Sequence, residues 1–364
     1  MADLAGDQDS NETLGKSNSI LAPADIFLAV GYGTVFVVGV TGNVVLLLAT
    51  ALSRKLRSKT SCLIVNLCVS DLLVSAAQPF QIVPILDRPL SEVLCQLIAA
   101  LDILSVASSV ITLMLIAINR CVLIIKPRHT YDRVFSSRNL VVMVTMSWLF
   151  PAVGLVLPQL TGHGRLGYHA LTRLCICDFN HENANTFVYL VNFLSTFSFS
   201  VTFFSYYLLF RHVKRSALKT RSRSIMPAEK NCRRHTELVI TKNLLCVVCC
   251  FVLCISSFAG VFIVIPFLQG PALHRVLSVM PYVSLPLVFD SCLNPFIYGW
   301  KHPHLRVVIA CVLRRRWHDI PEPSRLLARI LAYNTGDRQT PQVSSVAKSC
   351  ETQSNNLTID TNNL

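Results

Sequence analysis

A chain of 364 residues in which 52% of side chains are hydrophobic and 15% charged is too apolar for a water-soluble domain, where about 25% are normally charged. Mean hydropathy is +0.51, and a formal charge of +13 arises from 33 Lys and Arg against 20 Asp and Glu. The cations sit in alternate connections between apolar stretches, which excludes a nucleic-acid footprint and points to membrane topology and anionic lipid.

Seven stretches reach the roughly 20 residues that a bilayer crossing needs. They are Ile26–Leu52, Ser61–Leu86, Ser91–Ile125, Leu140–Leu160, Thr186–Phe210, Leu238–Leu268 and Leu273–Trp300. Met1–Lys16 is acidic and polar with no basic run before an apolar one, so no cleavable signal peptide is expected. Connections after spans one, three and five, and the segment beyond span seven, hold most of the Lys and Arg; the alternate connections hold Arg88, Arg165, Arg173 and Arg275. That asymmetry places the N-terminus outside and the C-terminus in the cytoplasm of a multi-pass plasma-membrane protein. The expected fold is an all-α membrane protein: an extracellular tail (1–25), a seven-helix transmembrane bundle (26–300), a short amphipathic surface helix after span seven (301–316) and a largely disordered cytoplasmic tail (317–364).

In chain order, the tail carries the glycan acceptor pattern Asn11-Glu12-Thr13. Span one holds Gly42-Asn43-Val44-Val45, and span two holds Asp71, a mid-bilayer carboxylate that needs polar partners; Asn43 is the natural one. Pro79 kinks or ends span two. Span three runs from Cys95 to Asn119-Arg120-Cys121, about 25 residues or ~38 Å, so it joins an outer thiol to an inner cation. Asp102 lies near its outer end, with Ser105 and Ser109 on the same face. Span four carries Trp148 and Pro158. Only Cys95, Cys175 and Cys177 of the 14 cysteines fall outside, where disulfides persist; spacing alone leaves Cys175 and Cys177 as rivals for Cys95. Cys246, Cys249, Cys250 and Cys254 lie on an all-round apolar helix and read as packing residues, not metal ligands.

Asn43 in GNVV, Asp71 in NLxxSDLL, Cys95, Asn119-Arg120-Cys121, Trp148 in SWLFP and Asn294-Pro295-Phe296-Ile297-Tyr298 stand in order, one or two per span. This set resembles the rhodopsin-like (class A) G-protein-coupled receptors over about 290 residues. NRC in place of DRY, with Cys175-Ile176-Cys177-Asp178-Phe179, is similar to the branch holding melatonin receptors, Moody-type insect receptors and medium-chain-fatty-acid-type orphans.

The resemblance implies a two-state receptor that passes binding of an unidentified extracellular ligand to a heterotrimeric G protein, with no catalysis. Asp102, Ser105 and Val106 would bind ligand; Arg173 and His181 are the rival set, suited to an acidic one. The amine-receptor tyrosine of span seven is here Val288. Asp71, Ser105, Ser109, Asn294 and the unusual Asp290 would form a pocket for an allosteric sodium ion, the one cofactor implied. Asn119, Arg120, Cys121, Tyr206, Asn294, Pro295 and Tyr298 would form the inner switch, with Glu237 restraining Arg120. The branch pattern favours Cys95–Cys177 as the disulfide. Cys311 is a palmitoylation candidate, and serines and threonines of the inner loop and tail would serve receptor kinases and arrestin. Span six has Ile255 and Ser257 where the family carries Trp and Pro, which puts the usual trigger in doubt and keeps a non-signalling scaffold or decoy as the alternative; a seven-span transporter or enzyme ranks below it.

Overall fold

The computed structural model describes residues 22–56, 58–178, 184–221, 249–250, 252–301 and 303–334. The expectations for Asn11, His181, Cys246, Glu237, the inner-loop serines and the tail phosphosites fall outside those residues, as does the side chain of Tyr298. Among the described residues, five helices are long and apolar enough to cross a membrane: α1 (Pro23–Leu52), α2 (Lys59–Ile85), α3 (Glu92–Ile125), α5 (Ser137–Leu160) and the Thr186–His212 part of α6 (Ala184–Arg221). Between α3 and α5 lies the short α4 (Arg128–Val134). The shorter apolar α7 (Val252–Phe267) stands at the sixth position. The last crossing is broken: α8 (Gly270–Ser278) meets α9 (Met280–Lys301) at a 41° bend. The chain folds as a seven-helix bundle, followed by α10 (Pro303–Leu313).

Local chemistry sets the ends. Ser58, Ser91 and Ser136 side chains accept the N–H of Ser61, Leu94 and Asn139, capping α2, α3 and α5. Pro23 opens α1, where its missing N–H costs nothing. α3 stops at Lys126, whose extended backbone is what the following Pro127 demands. Pro79 does not end α2, which continues through Pro79 and Pro84 to Ile85. A π-helical turn, Val35–Gly39, interrupts α1 where it meets α2: a Cβ on Gly39 would lie 2.1 Å from Ser75 Oγ, so only glycine permits this approach. Apolar side chains such as Phe27, Leu97, Phe193 and Phe203 point outward, as lipid-facing residues do.

Polar groups fill the middle of the bundle. Asn66 on α2 donates to Thr112 Oγ1 at 2.7 Å and Ser147 Oγ at 3.1 Å, and accepts the indole N–H of Trp148 at 2.9 Å, which ties α2, α3 and α5 together. Tyr32, fully buried, ties α1 to α9 through Pro281 O and Ser284 Oγ.

One departure from helix is an antiparallel hairpin in the connection between α5 and α6, β1 (Leu166–His169) and β2 (Leu174–Cys177), paired Tyr168 to Cys175 and Leu166 to Cys177. It corrects the disulfide: Cys95 bonds Cys175, with Cα atoms 5.1 Å apart, and Cys177 is a buried free thiol. Cys175 and Cys177 project from the same face of β2 into one cluster with Cys95, Ala99 and Leu155. Two residues of strand span ~6.8 Å, so only one of them can meet the bridging geometry at this register. Burial pushes the Cys177 thiol up to about 12, which leaves it unreactive.

Candidate functional site

Under the hairpin, α2, α3, α6, α7 and α9 enclose a cavity of about 150 Å³. Its walls are mostly Val, Ile, Leu and Phe, including Val106, Ile103, Phe258 and Val288. Asp102 supplies its carboxylate, and β2 roofs it with Leu174, Cys175 and Ile176. Strand alternation does this work: the faces that carry Leu174 and Ile176 on one side, and Cys175 and Cys177 on the other, pack into different apolar clusters.

Asp102 is not a helix-end carboxylate left to water. Gln81 donates to its Oδ2 at 2.9 Å and Gln78 to its Oδ1 at 3.4 Å. Gln81 also donates to Cys175 O at 3.0 Å and accepts Cys175 N–H at 2.9 Å, so a single amide joins α2, α3 and the roof. Sequence reasoning missed both glutamines; the signal was two amides spaced i, i+3 in an apolar span. Ile255, which stands where the family's Trp is expected, lines this cavity too.

Ser105 and Arg173 depart from their expected places. Ser105 is buried and does not line the cavity. Arg173 lies outside the cavity altogether: it pairs with Asp25 at 2.8 Å, reaches Asp87 at 3.4 Å and donates to Ile85 O. It therefore pins the hairpin to the start of α1 and the end of α2, and the rival acidic-ligand set loses its arginine for a structural reason, a neighbouring carboxylate at salt-bridge range.

Deeper in the bundle, Asp71 accepts from Asn294 Nδ2 at 2.7 Å and Ser109 Oγ at 3.4 Å. Asn43 does not bond Asp71; its amide donates to Gly39 O at 3.0 Å and Ser291 O at 2.9 Å, fastening α1 to α9 instead. Asp290 is buried near enough to Asp71 for their charges to oppose. Among the described residues, Ser105 Oγ, Asp290 Oδ1 and Asn294 Oδ1 have no hydrogen-bond partner in the protein. Hard oxygens of this kind, beside two carboxylates, are the donor set an alkali cation takes.

Toward the C-terminal end of α3, Arg120 is 5% exposed and lies within electrostatic reach of the Tyr206 hydroxyl. Asn119 accepts from Thr60 Oγ1 at 2.7 Å and donates to Tyr131 OH at 3.3 Å, so it links α3 to α2 and α4 and does not offset the charge of Arg120. Cys121 is half-buried, and Pro295 packs so close to α1 that a Cβ on Gly42 would lie 3.0 Å from it. Asp132 in α4 is held below the usual carboxylate range by a hydrogen bond from Lys59, reinforced by Arg128. Cys311 is half-buried on α10, with Sγ 3.7 Å from Asp319 O.

A seven-helix membrane bundle, with a roofed apolar cavity at one end of its central helix and a buried arginine ~27 Å away at the other, has the architecture of a transmembrane receptor. Residues 42–298 match the family described as 7 transmembrane receptor (rhodopsin family), and the chain belongs to that family. It is 28% identical over 282 residues to a Gq-coupled rhodopsin of Mizuhopecten yessoensis (74% of this chain, 55% of that protein). It is 31% identical over 186 residues to the G-protein coupled receptor moody of Drosophila pseudoobscura pseudoobscura (50% and 27%). It is 25% identical over 305 residues to human 5-hydroxytryptamine receptor 4 (77% of each). The chain thus spans about half, or less, of the first two relatives. Squid rhodopsin superposes with a TM-score of 0.68 at 18% identity, covering 87% of this chain and 92% of the squid one, which establishes the fold alone.

Proposed function

We propose that this chain is a plasma-membrane receptor, N-terminus outside, that couples an extracellular ligand to a heterotrimeric G protein. The observation that carries the reading is the α3 helix, which presents Asp102 to a roofed cavity at one end and buries Arg120 at the other. A rigid element with one end in each compartment can bias two packings of the bundle. The ligand is a small amphiphile: an apolar body fills the walls and a hydrogen-bond donor or cation meets Asp102, whose partners are two neutral amides and not a cationic side chain. A sodium ion held among Asp71, Asp290, Ser109 and Asn294 favours the resting packing, and the carboxylate pair makes that site sensitive to protons as well. Receptor kinases and arrestin are the expected partners of the cytoplasmic tail, Cys311 is the acylation point, and glycosylation falls on Asn11.

The test is nucleotide exchange on purified G protein by the reconstituted receptor. Wild type exchanges above a lipid blank, Arg120→Ala loses that exchange, and Asp102→Asn loses only its ligand-driven part. Asp290→Asn changes the sodium dependence of basal exchange. Wild-type exchange equal to the blank across a ligand screen refutes coupling and leaves the decoy reading, which Ile255 and Ser257 in place of Trp and Pro favour.

A further inference from the structure

Residues Pro323–Leu364 form a unit distinct from Met1–Glu322, and its described part, residues 323–334, holds α11 (Arg325–Asn334). This stretch lies in the tail expected to be largely disordered, and α11 is a helix within it, capped by Ser324 Oγ accepting the Leu327 N–H at 3.3 Å. At the helical repeat, Tyr333, Leu326 and Ile330 share one arc, Leu327 and Leu331 continue it, and Arg325 and Arg329 border the Tyr333 edge. Leu327 is buried. Leu326 is 69% exposed, Ile330 49% and Tyr333 88%, an apolar stripe open to solvent along the cationic border. The helix RLLARILAYN has two arginines and no carboxylate.

The start of α11 is tethered. Glu322 O accepts Arg54 N–H at 2.8 Å and Pro321 O accepts Ser53 Oγ at 2.8 Å, which docks the chain on the connection after α1. From Glu322 to Arg325 is three residues, so only a short covalent link joins the first residue of α11 to that point.

We propose that α11 is a second membrane-surface helix, which lays Leu326, Ile330 and Tyr333 into the headgroup layer of an anionic leaflet with Arg325 and Arg329 against the phosphates. This rests on the receptor reading only in taking the bundle to sit in a bilayer. Three apolar side chains are a small patch beside the ~800 Å² per partner that a stable protein interface uses. A stripe edged by cations, with no acid to pair a protein surface, complements phosphatidylserine-rich lipid. A free helix of this length would bind weakly; a tether to an integral bundle supplies the effective concentration.

The test uses the full chain in lipid nanodiscs with an environment-sensitive fluorescent amino acid at position 330, in phosphatidylcholine alone or in a phosphatidylserine-rich mixture. The phosphatidylserine discs should give blue-shifted emission that brominated acyl chains quench and added salt reverses. The double change Arg325→Glu with Arg329→Glu should cut that quenching at least twofold, while Arg325→Lys with Arg329→Lys preserves it. A probe at position 328, on the opposite arc, stays solvent-like. Emission that is the same in both lipids, or that shifts only when purified G protein or arrestin is added, overturns the proposal. Both faces of a nanodisc carry the same lipid, so the result does not depend on membrane orientation. Nucleotide exchange on the same discs reports separately on the receptor reading.

Discussion

Gln81→Leu keeps much of the side chain's volume and deletes the amide that joins Asp102 to the roof of the cavity. Two of its contacts are neutral, to Cys175 O at 3.0 Å and from Cys175 N–H at 2.9 Å, and one, at 2.9 Å, is to the Asp102 carboxyl. At about 1 kcal/mol net for each neutral bond and ~1.5–3 kcal/mol for one to a charged group, the loss is roughly 3.5–5 kcal/mol, which leucine's own burial offsets in part. Gln78→Leu gives up a 3.4 Å contact to Asp102 and a bond to Val74 O, a loss of roughly 1–2 kcal/mol. Thermal unfolding of the purified protein in detergent compares the two. At ~2–4 °C per kcal/mol the gross losses correspond to ~7–20 °C for Gln81→Leu and ~2–8 °C for Gln78→Leu, before the offset from leucine's burial in each, so Gln81→Leu should show the clearly larger drop in Tm. Ligand binding should weaken alongside, because the roof and the carboxyl lose their common brace. A Gln81→Leu protein as stable as Gln78→Leu would refute the bracing role.

Cys175→Ala opens a disulfide that closes a separation of 80 residues, a ceiling of about 4.5 kcal/mol on chain entropy, whereas Cys177→Ala should cost ~1 kcal/mol; equal losses in Tm would contradict the observed pairing. With its thiol pushed up to about 12, Cys177 is about one part in 10⁴ thiolate near pH 8, so maleimide should spare it until the β1–β2 hairpin unfolds. Gly39→Ala sets a methyl 2.1 Å from Ser75 Oγ and should cost ~3 kcal/mol, read as lost expression and Tm; tolerance would mean that α1 and α2 do not meet there. Burial lowers the His169 pKa, against the opposing pull of Asp178. The unfolded chain then binds the extra proton, so this contribution is present above about pH 6.5 and is lost as pH falls below it. The protection factors of the β1 and β2 amides, that is exchange normalised to the intrinsic rate at each pH, should fall on acidification in the wild type and change less in His169→Gln.

Much of the molecule was legible because it depends on local sums. Apolar length gave the spans, and the expected grouping of Asp71 with Asn294 is present as a hydrogen bond of 2.7 Å. Asn43 illustrates the limit: it is a buried polar residue as expected, but its partners are the carbonyls of Gly39 and Ser291, and carbonyl positions depend on the π turn in α1. Arg173 likewise has no local signal, since its partners Asp25 and Asp87 are 148 and 86 residues away.

The sequence by itself determined that the chain is a membrane helix bundle of the rhodopsin type, because hydropathy is additive along a segment and each landmark reports on its own span. Only the tertiary structure decided that Cys175 and not Cys177 meets Cys95, that Gln81 holds Asp102 beneath the roof, and that Arg173 braces the hairpin against α1 and α2. Those outcomes turn on strand register and side-chain reach, a difference of a few ångströms to which a count of residues along the chain is blind.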